Sequence, residues 1–228
     1  MNAPRGRAPD SNPDPTPATP PSTAPDPTPA TPPDSTPAPA PSTAPPERTV
    51  RLVLVAPAMN AALREARFDD DSPVEPVRAE PLRLRQTRTL ISPSARCRGT
   101  AEALGLPGVV PEPALAGCAM GRWRGRSLDE LAAEEPESVA AWLSDPDAAP
   151  HGGESLSALW TRVAAWLDAL EPGTLWAVAE PDVIRSAVAH ALGAPGTAFW
   201  RLDVRPLSYV ELTGRAGRWN VGIGSRLT

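Results

Sequence analysis

The chain has 228 residues, with 22 basic and 27 acidic side chains and a net charge of −5; every basic residue is Arg. A net-acidic chain with no basic run argues against general nucleic-acid binding. Cys97 and Cys118 are too few for a disulfide framework, and no CxxC pair or histidine cluster suggests a metal site.

The prolines divide the chain. Of the 32, 17 fall in residues 1–46, where most other residues are Ala, Thr, Ser and Asp. Such a segment has too few apolar side chains to offset its ordering entropy, so a disordered Pro-rich arm is expected over 1–46. It is repetitive: the stretch from Pro13 to Pro21 recurs from Pro25 to Pro33. Extended as polyproline II, it would reach roughly 140 Å. It reads as a spacer, or as a ligand for a proline-recognising module. No Gly-X-Y period exists, which excludes collagen. Residues 47–228 are enough for one domain. The start leads into prolines, not an apolar core, so no signal peptide is expected. The run from Leu52 to Met59 is too short to cross a membrane. The expectation is a soluble cytoplasmic protein.

Val50 to Ala56 is an aliphatic run that predicts a buried strand. Residues 69–87 are charged and carry Pro73, Pro76 and Pro81, which excludes a long helix. Thr89 to Ile91 predicts a second strand, and Ser92-Pro93 opens a helix to about Leu104. Ser127 caps Leu128 to Glu134, with Glu130 in the capping-box position. From Glu154 to Leu170, Leu156, Leu159, Trp160, Val163, Leu167 and Leu170 share one helical face. Thr174 to Ala179 is a strand, Asp182 to Leu192 a helix, and Leu207 to Leu212 and Trp219 to Ile223 are closing strands. Strands alternating with helices predict a three-layer α/β/α sandwich on a mainly parallel sheet.

Four segments in order carry a family resemblance: Ile91-Ser92-Pro93-Ser94-Ala95-Arg96, Gly121-Arg122-Trp123-Arg124-Gly125, His151-Gly152-Gly153-Glu154-Ser155, and Leu175 to Arg185. Together they resemble the histidine phosphatase superfamily, also called phosphoglycerate mutase-like, over about residues 50–225, in its bacterial small-phosphatase branch. The resemblance implies phosphomonoester hydrolysis. In such enzymes a histidine after the first strand takes the phosphoryl group. A second histidine and arginines hold the phosphoryl oxygens, and a Glu or Asp protonates the leaving oxygen.

At those positions this chain departs from the family. Ala56 and Pro57 occupy the first-strand motif, with Pro57 in the nucleophile's place. Gly117 or Ala119 stands at the acid, and Glu180 at the second histidine. Arg96, the phosphate arginine, survives. The interval from Pro57 to Ser92 is short for the family, which has an extra helix there. Arg96, Arg185 and His151 are the candidate phosphate or ligand residues. Arg185 also reads as a structural ion-pair residue, His151 as a loop histidine near the site mouth, and His190 as a packing or capping residue. Glu154 is expected to hold its own helix start through backbone N–H groups, and Cys97 to be a buried small hydrophobe. The tryptophans are expected in core and rim packing.

The resemblance therefore implies a catalytically degenerate pseudophosphatase that keeps its fold to bind a small phosphorylated ligand or a protein partner, with no cofactor. Two alternatives stand beside it: a residual phosphatase acting on a small phosphorylated metabolite, and an adaptor working through the Pro-rich arm. The resemblance also implies that Arg96 and Glu180 form an ion pair where phosphate would bind.

Overall fold

The computed structural model describes residues 49–78, 82, 87–215 and 217–226. The arm expected over 1–46 lies outside them.

Six strands form one sheet in the order β3-β2-β4-β1-β5-β6. β1 (Val50–Val55), β2 (Arg88–Ile91), β3 (Val109–Pro111) and β4 (Gly173–Val178) are parallel; β5 (Ser208–Arg215) is antiparallel to both β1 and β6 (Arg218–Arg226). The sheet is thus mixed, with only β5 running against the rest. Past the exposed Arg51, β1 reads as an aliphatic run because both its faces are covered. Leu52 and Leu54 enter one core with Leu159, Val163, Ile184 and Val188. Val53 and Val55 enter the other with Cys97, Ala101 and Leu104. Successive side chains of a strand point to opposite faces, so one strand feeds both layers.

The helices are α1 (Ala61–Arg64), α2 (Ala95–Ala103), α3 (Leu128–Glu134), α4 (Pro136–Ser144), α5 (Leu156–Asp168) and α6 (Pro181–Ala191). α5 and α6 cover one sheet face and α2 the other, which gives the expected three layers. The long interval after β1 holds only the one-turn α1 among its described residues. On α5, Leu156, Leu159, Val163 and Leu167 are buried and Trp160 is half-buried, while Leu170, expected on the same helix, lies half-buried just past its end. Ser127 and Glu130 form the anticipated capping box on α3. α4 opens with Pro136 in its first turn, where a missing N–H costs nothing. A third cluster, Trp123, Leu131 and Val139 with Phe68 and Trp142, packs these two short helices.

Two of the glycine motifs meet backbone to backbone. Arg122 N donates to His151 O at 3.0 Å and Glu154 N to Ala119 O at 2.8 Å. A β-carbon at residue 153 would stand 1.7 Å from Ala119 O, and one at residue 121 would stand 2.2 Å from His151 O. Gly121 also has φ +49°, so glycine is required there on both counts.

Candidate functional site

The carboxyl ends of the parallel strands open onto one cleft of about 500 Å³. Such ends are where open α/β sheets place their ligands. After β2, Ser92-Pro93-Ser94 turns into α2; Ser94 caps that helix by accepting from Cys97 N at 3.1 Å. After β4, Ala179 continues the sheet by donating to Val55 O at 3.1 Å, and Glu180 follows at the start of α6.

These two turns bring Arg96 and Glu180 together. Both line the cleft and both are buried, at 6 % and 8 % exposure. Arg96 Nη2 donates to Glu180 Oε2 as an ion pair, and Ser94 Oγ donates to Glu180 Oε1 at 2.7 Å. The expected pair is therefore present, with a serine as a second donor. Arg96 Nε is buried without a hydrogen-bond partner among the described residues. Cys97 sits beside the same carboxylate, Sγ to Oε1 at 3.5 Å. Burial first, then the Glu180 charge, holds the Cys97 thiol well above its ordinary value, so it stays an inert thiol.

Gly117 and Ala119 also line the cleft. Ala56 and Pro57 are buried just past β1. Ala56 N donates to Ser208 O at 2.9 Å, and Ala58 N to Thr100 Oγ1 at 2.9 Å. Both Pro57 and His151 are absent from the cleft lining. His151 is buried beneath Trp123, ring centroids 5.2 Å apart, with Nδ1 accepting from Gly153 N at 3.0 Å. It is a packing residue of the glycine junction and does not stand at the site mouth.

Arg185 reaches the cleft, but forms no ion pair among the described residues. Its Nε donates to Leu202 O at 2.7 Å and its guanidinium lies 5.6 Å from the Phe199 ring centroid. Glu154 differs from expectation too. Ser155 caps α5 by accepting from Ala158 N, and Glu154 instead takes a two-pronged ion pair from Arg162 at 3.0 and 2.7 Å. His190, in the last turn of α6, has Nε2 3.1 Å from Asp168 Oδ1.

A family model for the histidine phosphatase superfamily (branch 1) matches residues 78–223, more than half of the chain. The chain belongs to the histidine phosphatase superfamily. Among solved structures, it resembles the mycobacterial glucosyl-3-phosphoglycerate phosphatase with VO3 (24% identity, TM-score 0.63, covering 77% of this chain and 98% of that one). It also resembles the alpha-ribazole phosphatase from Shigella flexneri (19%, 0.67, 78% and 97%). A third is a phosphoserine phosphatase mutant from Entamoeba histolytica in complex with phosphoserine (16%, 0.64, 77% and 97%). At these identities the likeness shows the fold. No curated protein matches.

Within this histidine phosphatase fold, two cleft carboxylates escaped the sequence reading. Asp182, in the first turn of α6, accepts from Cys118 N at 2.6 Å and Val183 N at 2.8 Å, and its burial raises its pKa. Asp69 lines the cleft with Oδ1 buried and unpartnered among the described residues. Desolvation and then the Glu180 charge push its carboxyl upward, against the pull of Arg96. Nothing in Asp69-Asp70-Asp71 singles out the first; only the tertiary fold does. Among the described residues no helix is long and apolar enough to cross a membrane.

Proposed function

We propose that this histidine phosphatase family protein is a catalytically degenerate pseudophosphatase whose cleft is kept for binding. The observation that carries this reading is the Arg96–Glu180 pair. In the family arrangement, Arg96 holds phosphate and Glu180 stands at the second histidine. An internal carboxylate thus occupies the arginine that a phosphate dianion would need. At about 4 Å and an effective dielectric near 20, a carboxylate repels each phosphate charge by roughly 4 kcal/mol. Pro57, in the nucleophile's place, has neither a nucleophilic atom nor an N–H donor. Gly117 and Ala119, at the acid's place, hold no proton donor. Removing one member of such a catalytic unit costs orders of magnitude in rate.

A second reading, residual phosphomonoester hydrolysis, is favoured by Asp69. Its raised carboxyl faces the cleft and could supply a proton where Gly117 does not. One assay separates the two. Wild type is expected to release no aryl alcohol from a generic aryl phosphate, and Pro57→His with Glu180→His to remain slow for want of an acid. Turnover by wild type that disappears in Asp69→Asn would establish the second reading.

A further inference from the structure

The cleft is lined by four carboxylates, Asp69, Asp71, Glu180 and Asp182, and by four arginines that are each engaged. Arg96 is committed to Glu180, Arg124 to Asp71, and Arg67 to Glu65 and Glu130. Arg185 is turned to a carbonyl and an aromatic ring. Asp69 and Asp182 form no ion pair among the described residues. Asp182 is satisfied by two backbone N–H groups. Asp69 Oδ1 is not: it is buried and accepts no hydrogen bond from the described residues. An acceptor buried that way carries the cost of its lost hydration until a donor reaches it. The cleft wall also holds a buried donor in the same condition, Nε of Arg96, on a side chain only 7 % exposed.

Part of the wall is aromatic. Phe68, Trp142 and Trp200 line the cleft. Trp142 meets Phe68 edge-on at 5.7 Å and Trp200 edge-on at 4.9 Å, and Trp200 is 40 % exposed. Aromatic faces attract organic cations and repel anions, through the ring quadrupole. A volume of about 500 Å³ is ample for a metabolite-sized ligand.

We propose that the cleft binds a small primary amine, its ammonium on Asp69 and its apolar or aromatic body against Phe68, Trp142 and Trp200. An ammonium supplies both the charge and the N–H donors that Asp69 Oδ1 lacks. A hydroxyl or carbonyl on the same ligand would accept from Arg96 Nε. The inference rests on the reading that Glu180 closes the arginine to phosphate: with that carboxylate in place, Asp69 Oδ1 is the cleft acceptor left for a charged ligand to meet.

The test is calorimetric titration of the full chain with phenethylamine, phenethyl alcohol and phenyl phosphate at neutral pH. The amine is expected to bind about ten-fold more tightly than the alcohol, a difference expected of a charge-assisted hydrogen bond. Asp69→Asn should erase that difference while leaving alcohol binding in place, and Trp200→Leu should weaken amine and alcohol alike. The melting temperature of Asp69→Asn establishes that it is folded. Equal affinity for amine and alcohol overturns the proposal, as does amine binding unchanged in Asp69→Asn or no saturable amine binding up to about 20 mM. Asp69-dependent amine binding supports it even if aryl phosphate hydrolysis is detected, which would count against the degenerate reading alone. Tight phenyl phosphate binding without amine binding overturns both.

Discussion

Gly117 packs against the side chain of Glu180: a β-carbon at residue 117 would stand 3.1 Å from Glu180 Cγ and 3.4 Å from its Cβ. Residue 117, proposed as the acid's place, and residue 180, proposed as the second histidine's, therefore constrain each other. Glu180 cannot swing away, because Ser94 and Arg96 hold its two oxygens. A side chain introduced at residue 117 with Glu180 in place would be crowded by it.

Gly117→Ala is expected to destabilise by about 1 kcal/mol, an overpacking cost partly offset by the lower entropy of the unfolded chain. In a Glu180→Ala background the same substitution should be neutral or slightly stabilising. Urea denaturation of the four proteins reads the coupling directly. Equal effects in both backgrounds would show that Gly117 and Glu180 do not compete for space.

The Arg96–Glu180 pair makes a different prediction. Glu180→Ala leaves a buried guanidinium without its partner and should cost about 3 kcal/mol or more. Replacing both, as Arg96→Met with Glu180→Leu, should return stability to within about 1 kcal/mol of wild type, since apolar residues of similar volume need no desolvation. Glu180→Gln keeps an acceptor for Ser94 and removes the charge, so it should raise affinity for inorganic phosphate. Wild type binding phosphate as well as Glu180→Gln would return Arg96 to the role of an open ligand residue.

Where the chain's local chemistry and its environment agree, sequence alone was enough. β1 announces itself because a central strand needs apolar side chains on both faces, and α3 because Ser127 and Glu130 fulfil a capping box. The Arg96–Glu180 pairing followed from the order of family segments, since the two lie 84 residues apart. Other features carry no local signature. β3 is a three-residue exposed edge ending in Pro111, with neither alternation nor length to mark it. α4 is short, although Pro136 after Glu135 was an available start signal. Glu154 looked like a helix-start residue because Arg162 is invisible as its partner until α5 is wound. Asp69 acquires its character only from the cleft that closes around it.

The α3 cap gives a local test. Ser127 Oγ accepts from Glu130 N at 3.2 Å, and Glu130 Oε2 accepts from Ser127 N at 3.1 Å. Ser127→Ala should cost about 1 kcal/mol and Ser127→Gly only a few tenths, because glycine leaves the helix end open to water. Similar losses for both would mean that Ser127 contributes through packing and not through its hydroxyl.

Two groups shifted by desolvation should give stability opposite slopes with pH. Burial, with the Arg122 charge adding to it, holds His151 below its ordinary value. The unfolded chain takes up that proton near pH 6.5 and the folded chain only at lower pH. As pH falls from about 6.5 towards the folded value, the unfolded state binds more protons and stability declines. Above that window the group contributes no slope. Asp69 is shifted the other way, upward by desolvation and by Glu180. Its folded form keeps the proton longer, so stability falls as pH rises from about 3.9 to the folded value and stays lowered at neutral pH. Asp69→Asn should therefore raise the urea midpoint at neutral pH and bring no gain below pH of about 3.9. His151→Asn keeps an acceptor for Gly153 N and cannot titrate. It should lower stability throughout, by the cavity it leaves beside Trp123, and flatten the decline below pH of about 6.5. Urea midpoints across this range check both. A His151→Asn protein with the wild-type slope would show that another group drives the decline, and an Asp69→Asn protein less stable at neutral pH would show that the Asp69 charge is compensated in the fold.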